Sequence, residues 1–359
     1  MIWLESLGVE GYRNLATMRL EFAPGINVFS GKNAQGKTSL LESIYLLSSS
    51  QVLRGSRDGE AIQDGVESAQ VRGEVAPMGT ELGVDLGHGK RKKALINSSG
   101  LPRASDLIGR LPSVVFWSGD LTLATGDPAA RRLMLDTELS QIFPAYLKAF
   151  SAFKRALQQR NALLKMAKER FVADEVFESW EVQMVASGEQ MRQIRGSWLE
   201  TLRPFAVETH AAMGRSEALG LEYITKEPGD LAIQFAMERR REIARGSTLF
   251  GPHRDDLELT IDGRSVRLFG SQGQQRTAVI SLKIAVMHAA QATLGFPPLL
   301  LLDDIFSDLD QERRKALVEL AMGAGGQVFI TCTESEQAGD SLIGAAKVFR
   351  VQSGQVEEE

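Results

Sequence analysis

Gly31 is followed by four free positions and then by Gly36-Lys37-Thr38, the spacing G-x-x-x-x-G-K-[ST]. Those residue types suit one task. Main-chain N–H groups of a glycine-rich turn hold phosphates, a lysine adds charge, and a hydroxyl can ligate Mg²⁺. A second group lies far downstream, where the apolar run Leu299 to Leu302 ends in Asp303-Asp304. Asp303 would hold Mg²⁺ directly or through water, and Asp304 would polarise an attacking water. Between them, Ser271-Gln272-Gly273-Gln274-Gln275-Arg276 places a serine and a glycine at a helix start, a second anion-binding corner. With one corner already at Gly36-Lys37, two protomers could face each other, each closing the other's nucleotide. Plainer readings exist: a glycine turn joining strand to helix, and an acidic pair capping a helix.

The elements around these residues fit the first reading. Ile26 to Phe29 alternates apolar and polar residues and predicts a strand ending at Ser30. Leu40, Leu41, Ile44 and Leu47 recur at helical spacing, so a helix begins near Lys37. Leu299 to Leu302 reads as a strand buried on both faces of a parallel sheet, with its carboxylates at the end where ligands bind. Residues 68–97 predict antiparallel strands, and Leu257, Leu259 and Ile261, Asp262-Gly263, then Val266 and Leu268 predict a hairpin. From Pro128 to about Met213 helical spacing dominates, the first part reading as one long helix or two, with Pro144 as a kink. This region reads as an antiparallel helical arm, or as a plain helical lobe. The tail, Val-Gln-Ser-Gly-Gln-Val-Glu-Glu-Glu, is expected to fray.

Composition narrows the class. The 359 residues are 43% hydrophobic and 24% charged, as in ordinary globular proteins. No basic leader followed by an apolar core is visible, and no apolar run approaches the ~20 residues needed to span a bilayer. A single cysteine, Cys332, excludes an intramolecular disulfide, and the four histidines have no metal-ligand spacing. The expected location is cytoplasmic. A net charge of −5 leaves nucleic-acid binding to local basic patches.

With these motifs in order, the chain resembles the ABC-type ATPases of the branch that includes the SMC proteins, and within it the RecF family of recombinational repair proteins. The resemblance covers nearly the whole chain. It rests on Tyr12-Arg13-Asn14, the phosphate-binding loop, SRDGE at 56–60, GDPAARRLMLD at 126–136, QQRNALLK at 158–165, GPHRDDLEL at 251–259, SQGQQR and LLLLDDIFSDLD. It implies an α/β fold, an ABC-type P-loop ATPase head with an antiparallel β subdomain and an inserted helical arm. The boundaries would be 1–125 for the N-terminal part of the head, 126–245 for the arm and 246–359 for the C-terminal part. It further implies that Gly31, Lys32, Asn33, Ala34, Gln35, Gly36, Lys37 and Thr38 bind ATP, with Arg13 and Asn14 beside the phosphates or base. Thr38 and Asp303 would hold Mg²⁺, and Asp304 and Lys37 would be catalytic. Ser271, Gln272, Gly273 and Gln274 would act in trans, and Asp308 and Asp310 would couple the two sites.

Two departures from the wider ATPase pattern bear on rate. Asp304 stands where most ABC ATPases carry glutamate, and its shorter reach predicts slow hydrolysis. The segment Thr331-Cys332-Thr333-Glu334 has no histidine for the γ-phosphate. The glutamine that would ligate Mg²⁺ is unplaced, with Gln51 and the Ser118-Gly119-Asp120 region as candidates. ATP would then act mainly as a dimerisation switch, with weak DNA-dependent hydrolysis. Candidate DNA contacts are Arg54, Arg57, Lys90, Arg91, Lys92, Lys93, Arg131 and Arg132, and also Arg239-Arg240-Arg241. No helix-turn-helix, zinc module or aromatic single-strand platform is apparent, which favours sequence-independent duplex binding. By resemblance, the protein would help load a recombinase at gaps with RecR and RecO-type partners, in replication-gap repair and SOS induction. A transporter's nucleotide-binding subunit and a P-loop kinase are the competing classes.

Overall fold

The computed structural model describes residues 1–55, 57–213, 216–305, 314, 317–319, 322–323, 325–334 and 339–359. The chain divides into two compact units. One comprises 1–120, 208–216 and 279–359, the other 121–207 and 217–278.

The first unit holds two six-stranded sheets. In the mostly parallel sheet the order is β15 (Gln355–Glu358), β14 (Ala346–Gln352), β3 (Ile26–Ser30), β13 (Val328–Cys332), β12 (Leu299–Asp303), β8 (Ser113–Phe116). All neighbours are parallel except β14 and β15. Every residue of β3, β12 and β13 is buried, as central parallel strands covered on both faces require. The other sheet is antiparallel, in the order β2 (Met18–Glu21), β1 (Trp3–Glu10), β4 (Ser68–Ala76), β5 (Thr80–Gly87), β6 (Lys93–Ile96), β7 (Ser99–Gly100). Leu82, Val84 and Leu86 alternate inward on β5, as their spacing predicts.

Helix α1 (Lys37–Ser49) lies against strands of both sheets, β4 and β5 on one side and β8, β12 and β13 on the other. This placement explains why even its serines and Glu42 are buried. Phe22, Phe29, Phe329 and Phe349 pack edge-on and stacked, with centroids 4.9–6.0 Å apart, and lock the loop-bearing strand β3 to its neighbours. The tail is not frayed. Its alternating Val351, Val356 and polar residues form the β14–β15 hairpin, and β14 pairs in parallel with β3.

The second unit contains α2 (Thr122–Thr125), α3 (Pro128–Ile142), α4 (Pro144–Met166) and most of α5 (Asp174–Ala212). It also contains β9 (Leu219–Ile224), α6 (Leu231–Arg245), β10 (Asp256–Ile261), β11 (Arg264–Ser265) and α7 (Val266–Phe269). Pro144 breaks the helix rather than kinking it: α3 ends at Ile142, Phe143 is extended, and Pro144 opens α4, where its missing N–H costs nothing. The hairpin at 256–268 is shorter than its alternation implies. Asp262 and Gly263 turn with positive φ (50° and 76°), but pairing stops at Ser265 and Val266 starts a helical turn that leaves Leu268 exposed. The unit's interior is held by arginine–carboxylate clusters. Arg160 joins Glu181 and Glu242, Arg195 joins Asp136, and Arg192 joins Asp255.

The helix α8 (Gln272–Leu294) starts in the second unit and continues through the first. It is long and apolar enough to cross a membrane, but 72% of its most apolar window is buried within the protein, the mark of a core helix.

Candidate nucleotide site

The phosphate loop runs from the buried end of β3 into α1, and its shape depends on glycine at two places. At Gly31 (φ 153°) a Cβ would lie 2.2 Å from the Val351 carbonyl oxygen, so no side chain fits without moving β14. Gly36 (φ 116°) is the residue before the helix, and its carbonyl accepts the first helical hydrogen bond, from Leu40 N (2.9 Å). Ala34 also takes positive φ (65°), which turns the loop into a concave run of main-chain groups. Gly36 offers no side-chain cap, so the first N–H groups of α1 have no intrahelical acceptor and point into the loop.

Lys37 folds back over this concavity, its Nζ donating to the carbonyls of Gly31 and Lys32 (3.0 Å to Lys32). Burial lowers its pKa, while Asp304, Cys332 and Asp303 pull the other way. Thr38 Oγ1 donates to Asp303 Oδ1 at 2.9 Å, so the two proposed Mg²⁺ ligands already converge. Thr331 completes the corner: its hydroxyl donates to Asp303 Oδ1 (2.8 Å) and accepts from Asp304 N (2.8 Å). Burial raises the Asp303 pKa against these two hydroxyl donors, a carboxylate poised to gain from a cation. Asp304 sits at φ 50°, a left-handed conformation that costs about 1 kcal/mol and re-aims its side chain toward the loop.

A cavity of about 420 Å³ is lined by Asn14, Asn33, Gly36, Lys37, Thr38, Ser39, Arg54 and Asp304. Asn14 bridges its wall, accepting from Ser39 Oγ (2.8 Å) and donating weakly to Ala34 O (3.4 Å). Arg13 does not reach the cavity. It makes a paired contact to both oxygens of buried Glu42 (2.9 Å each) and donates to the carbonyls of Glu60 and Arg54. Glu42 also accepts from Arg54 N (2.9 Å) and Arg54 Nη2 (3.2 Å), so one carboxylate in α1 fixes both arginines. A second hollow of about 520 Å³ shares Asn33 and is lined by Gly31, Lys32, Gln35, Thr333, Glu334 and Arg350. The β14–β15 turn braces the loop: Gln35 accepts from Ser353 N (2.7 Å) and Gly354 N (2.8 Å), and Gly354 O accepts from Ala16 N (2.9 Å).

The signature residues open α8. Ser271 Oγ accepts from Gln274 N (3.2 Å) and Gln274 Oε1 accepts from Ser271 N (2.8 Å), a reciprocal cap. Gln272 and Gly273 form the first turn between them. Asp308 and Asp310, like Ser307 and Ser56, lie outside the described residues. Of the candidates for the missing glutamine position, Gln51 donates its N–H to Ser49 Oγ (3.1 Å), and Asp120 accepts from Trp117 N (3.0 Å).

The basic residues separate. Arg57, Lys90, Arg91 and Lys93 are exposed and form no ion pair among the described residues. Lys92 is tied to Ser50 O (2.6 Å) and Asp58 (3.0 Å), and Arg54 belongs to the cavity. Arg131 is not a surface cation: it is 2% exposed, its guanidinium paired with Asp256 (2.8 and 2.9 Å) and capping the Leu123 and Gly126 carbonyls. Arg132 donates to Asp255 O (2.8 Å), and Arg239 is held by Asp174 and Glu181, while Arg240 and Arg241 are exposed.

Sequence reasoning gave no role to Glu42, Ser39 or Thr331, and expected the tail that holds the 353–354 turn to fray. Only Glu42 carried a local signal, a carboxylate set among Leu40, Leu41 and Ile44 on an otherwise buried helix.

The RecF/RecN/SMC N terminal domain family model matches residues 3–357. The chain is 38% identical over 369 residues to the DNA replication and repair protein RecF of Heliobacterium modesticaldum, covering 98% of each. It is 39% identical over 375 residues to the protein of that name from Symbiobacterium thermophilum, covering 99% of this chain and 98% of the relative. Among solved structures, the recombination mediator protein RecF-ATP in the RecFOR pathway superposes with a TM-score of 0.90 at 30% identity, covering 100% and 98% of the two chains. The Smc head domain of Pyrococcus furiosus shares the fold, with a TM-score of 0.58 at 16% identity.

Proposed function

The chain belongs to the RecF family of the RecF/RecN/SMC group, and from that premise we propose that it is an ATP-switched, DNA-binding protein of recombinational repair. Its family is one of ATPases, so ATP binding and hydrolysis are its chemistry. The observation that carries the reading here is the convergence of Lys37, Thr38, Asp303 and Asp304 on one glycine-shaped loop. The loop's path supports it as well, because a Cβ at Gly31 would meet the Val351 carbonyl oxygen at 2.2 Å and push the loop off β14.

In the proposed role of each group, the N–H groups of residues 33–38 and Lys37 hold the β- and γ-phosphates. Thr38 Oγ1 and Asp303 Oδ1, 2.9 Å apart, would be the protein ligands of Mg²⁺, which supplies charge neutralisation at the phosphates. Asp304 orients the attacking water. An aspartate reaches one methylene less far than glutamate, which supports slow turnover and ATP acting mainly as a timer. Ser271 to Gln274 would close on the nucleotide of a second copy, and Asp308 and Asp310 would link the sites.

DNA contact is assigned to exposed cations rather than to the network arginines. Arg57, Lys90, Arg91 and Lys93 support this, being exposed and outside every ion pair among the described residues. Duplex or junction DNA, RecR and RecO-type partners and a cytoplasmic location complete the proposal, in line with the solved RecF-ATP structure's place in the RecFOR pathway. The reading predicts turnover well below the ~10 s⁻¹ of a median enzyme, raised by duplex DNA. A DNA-independent rate on the order of hundreds per second would contradict it.

A further inference from the structure

The capped start of α8 is braced by a residue outside the signature. Gln274 Oε1 accepts from Ser271 N (2.8 Å), while Gln274 Nε2 donates to Glu217 Oε1 (2.8 Å). The Gln274 side chain is thereby fixed at both ends. The other Glu217 oxygen, Oε2, is buried and has no hydrogen-bond partner among the described residues.

The reciprocal cap uses the N–H groups of Ser271 and Gln274. The two between them, on Gln272 and Gly273, have no acceptor within the helix. Ser271 Oγ, because it accepts from Gln274 N, keeps its own hydroxyl hydrogen free to donate. Three donors therefore share one helix end, aimed in advance at an anion.

We propose that Glu217 is the positioning residue of the signature, holding Gln274 so that Ser271 Oγ and the Gln272 and Gly273 N–H groups are pre-set for the terminal phosphate of a nucleotide carried by a second copy of the chain. The inference rests on the trans role of the signature. It adds that this end is built before the second copy arrives, so no ordering cost falls at the closing step.

The test compares wild type, Glu217→Ala, Glu217→Gln and Ser271→Arg. Four readings are taken: binding of a fluorescent ATP analogue to the isolated chain, ATP-driven association by sedimentation, kcat and KM for hydrolysis, and thermal midpoint. Glu217→Ala should leave analogue binding and the midpoint unchanged, weaken association about tenfold and lower kcat about tenfold. Glu217→Gln retains a carbonyl oxygen for Gln274 Nε2 and should restore both. Equal association and kcat in wild type and Glu217→Ala, with Ser271→Arg defective, would overturn the role of Glu217 and leave the trans reading intact. A fall in Glu217→Gln as deep as in Glu217→Ala would also overturn it. If Ser271→Arg itself associates and hydrolyses as wild type, the trans reading falls and the inference with it.

Discussion

Glu42 is the best place to perturb the site without touching it. Its side chain is fully buried in α1 and accepts four hydrogen bonds, two from Arg13, one from Arg54 Nη2 and one from Arg54 N. Replacing it by alanine removes the carboxylate from both guanidinium groups, leaving Arg13 the carbonyls of Glu60 and Arg54 and leaving Arg54 the Ser39 hydroxyl (3.3 Å). Deleting one partner of a buried ion pair costs about 3–5 kcal/mol. Here the side chain of Arg13 is 18% exposed and that of Arg54 is 39% exposed, so water recovers part of the loss and the low end, about 3 kcal/mol, applies. For a unit of this size that lowers the thermal midpoint by roughly 6–12 °C. Arg54 forms part of the cavity wall, so ATP affinity should also drop, by about tenfold, equivalent to ~1.4 kcal/mol. Glu42→Gln keeps one carbonyl oxygen and should fall between. Differential scanning fluorimetry with an ATP titration measures both quantities. A midpoint within 2 °C of wild type together with unchanged affinity would show that Glu42 does not organise this wall.

Four further outcomes are expected. Gly31→Ala should abolish ATP binding, because the new Cβ meets the Val351 carbonyl at 2.2 Å, and equilibrium dialysis would detect any retained binding. Gly354→Ala, whose Cβ would lie 2.0 Å from Asn14 O, should weaken ATP binding from the far side of the loop; unchanged affinity would remove the hairpin from the site. Asp304→Asn should bind ATP normally and hydrolyse it at least about a hundredfold more slowly in a steady-state phosphate-release assay. Burial pushes His253 from its ordinary pKa of 6.5 down to about 4, so it is neutral in the folded chain and protonates on unfolding below pH 6.5. Its stabilisation is complete above that pH and is lost as pH falls toward 4, about 2 kcal/mol between pH 7 and 5. Urea titrations should show this slope in wild type and a flatter one in His253→Asn.

What could be read from sequence was local or strongly periodic. The loop, its flanking strand and helix, and the apolar strand before Asp303-Asp304 are each encoded within about a dozen consecutive residues. Arg131 and Arg132 show the limit. Side by side in sequence, they sit about 100° apart on α3, so Arg131 turns inward to Asp256 while Arg132 stays near the surface. Only the fold reveals that Asp256 waits 125 positions away. The same holds for Thr331, which reaches Asp303 through strand pairing of β12 with β13, and for Gln35, which meets the chain's last hairpin. The hairpin at 256–268 misled for a different reason: Val266 and Leu268 keep the alternation of a strand, yet only Val266 is buried, because one helical turn also places them on different sides.

The central claim is that the loop at 31–38 controls DNA capture through a nucleotide-closed pair of chains. The most direct measurement is a binding titration on gapped duplex DNA at fixed salt, with and without Mg-ATP, comparing wild type with Ser271→Arg. The account predicts that ATP tightens binding by wild type and leaves the variant unchanged. Equal affinities with and without ATP in both proteins would contradict it.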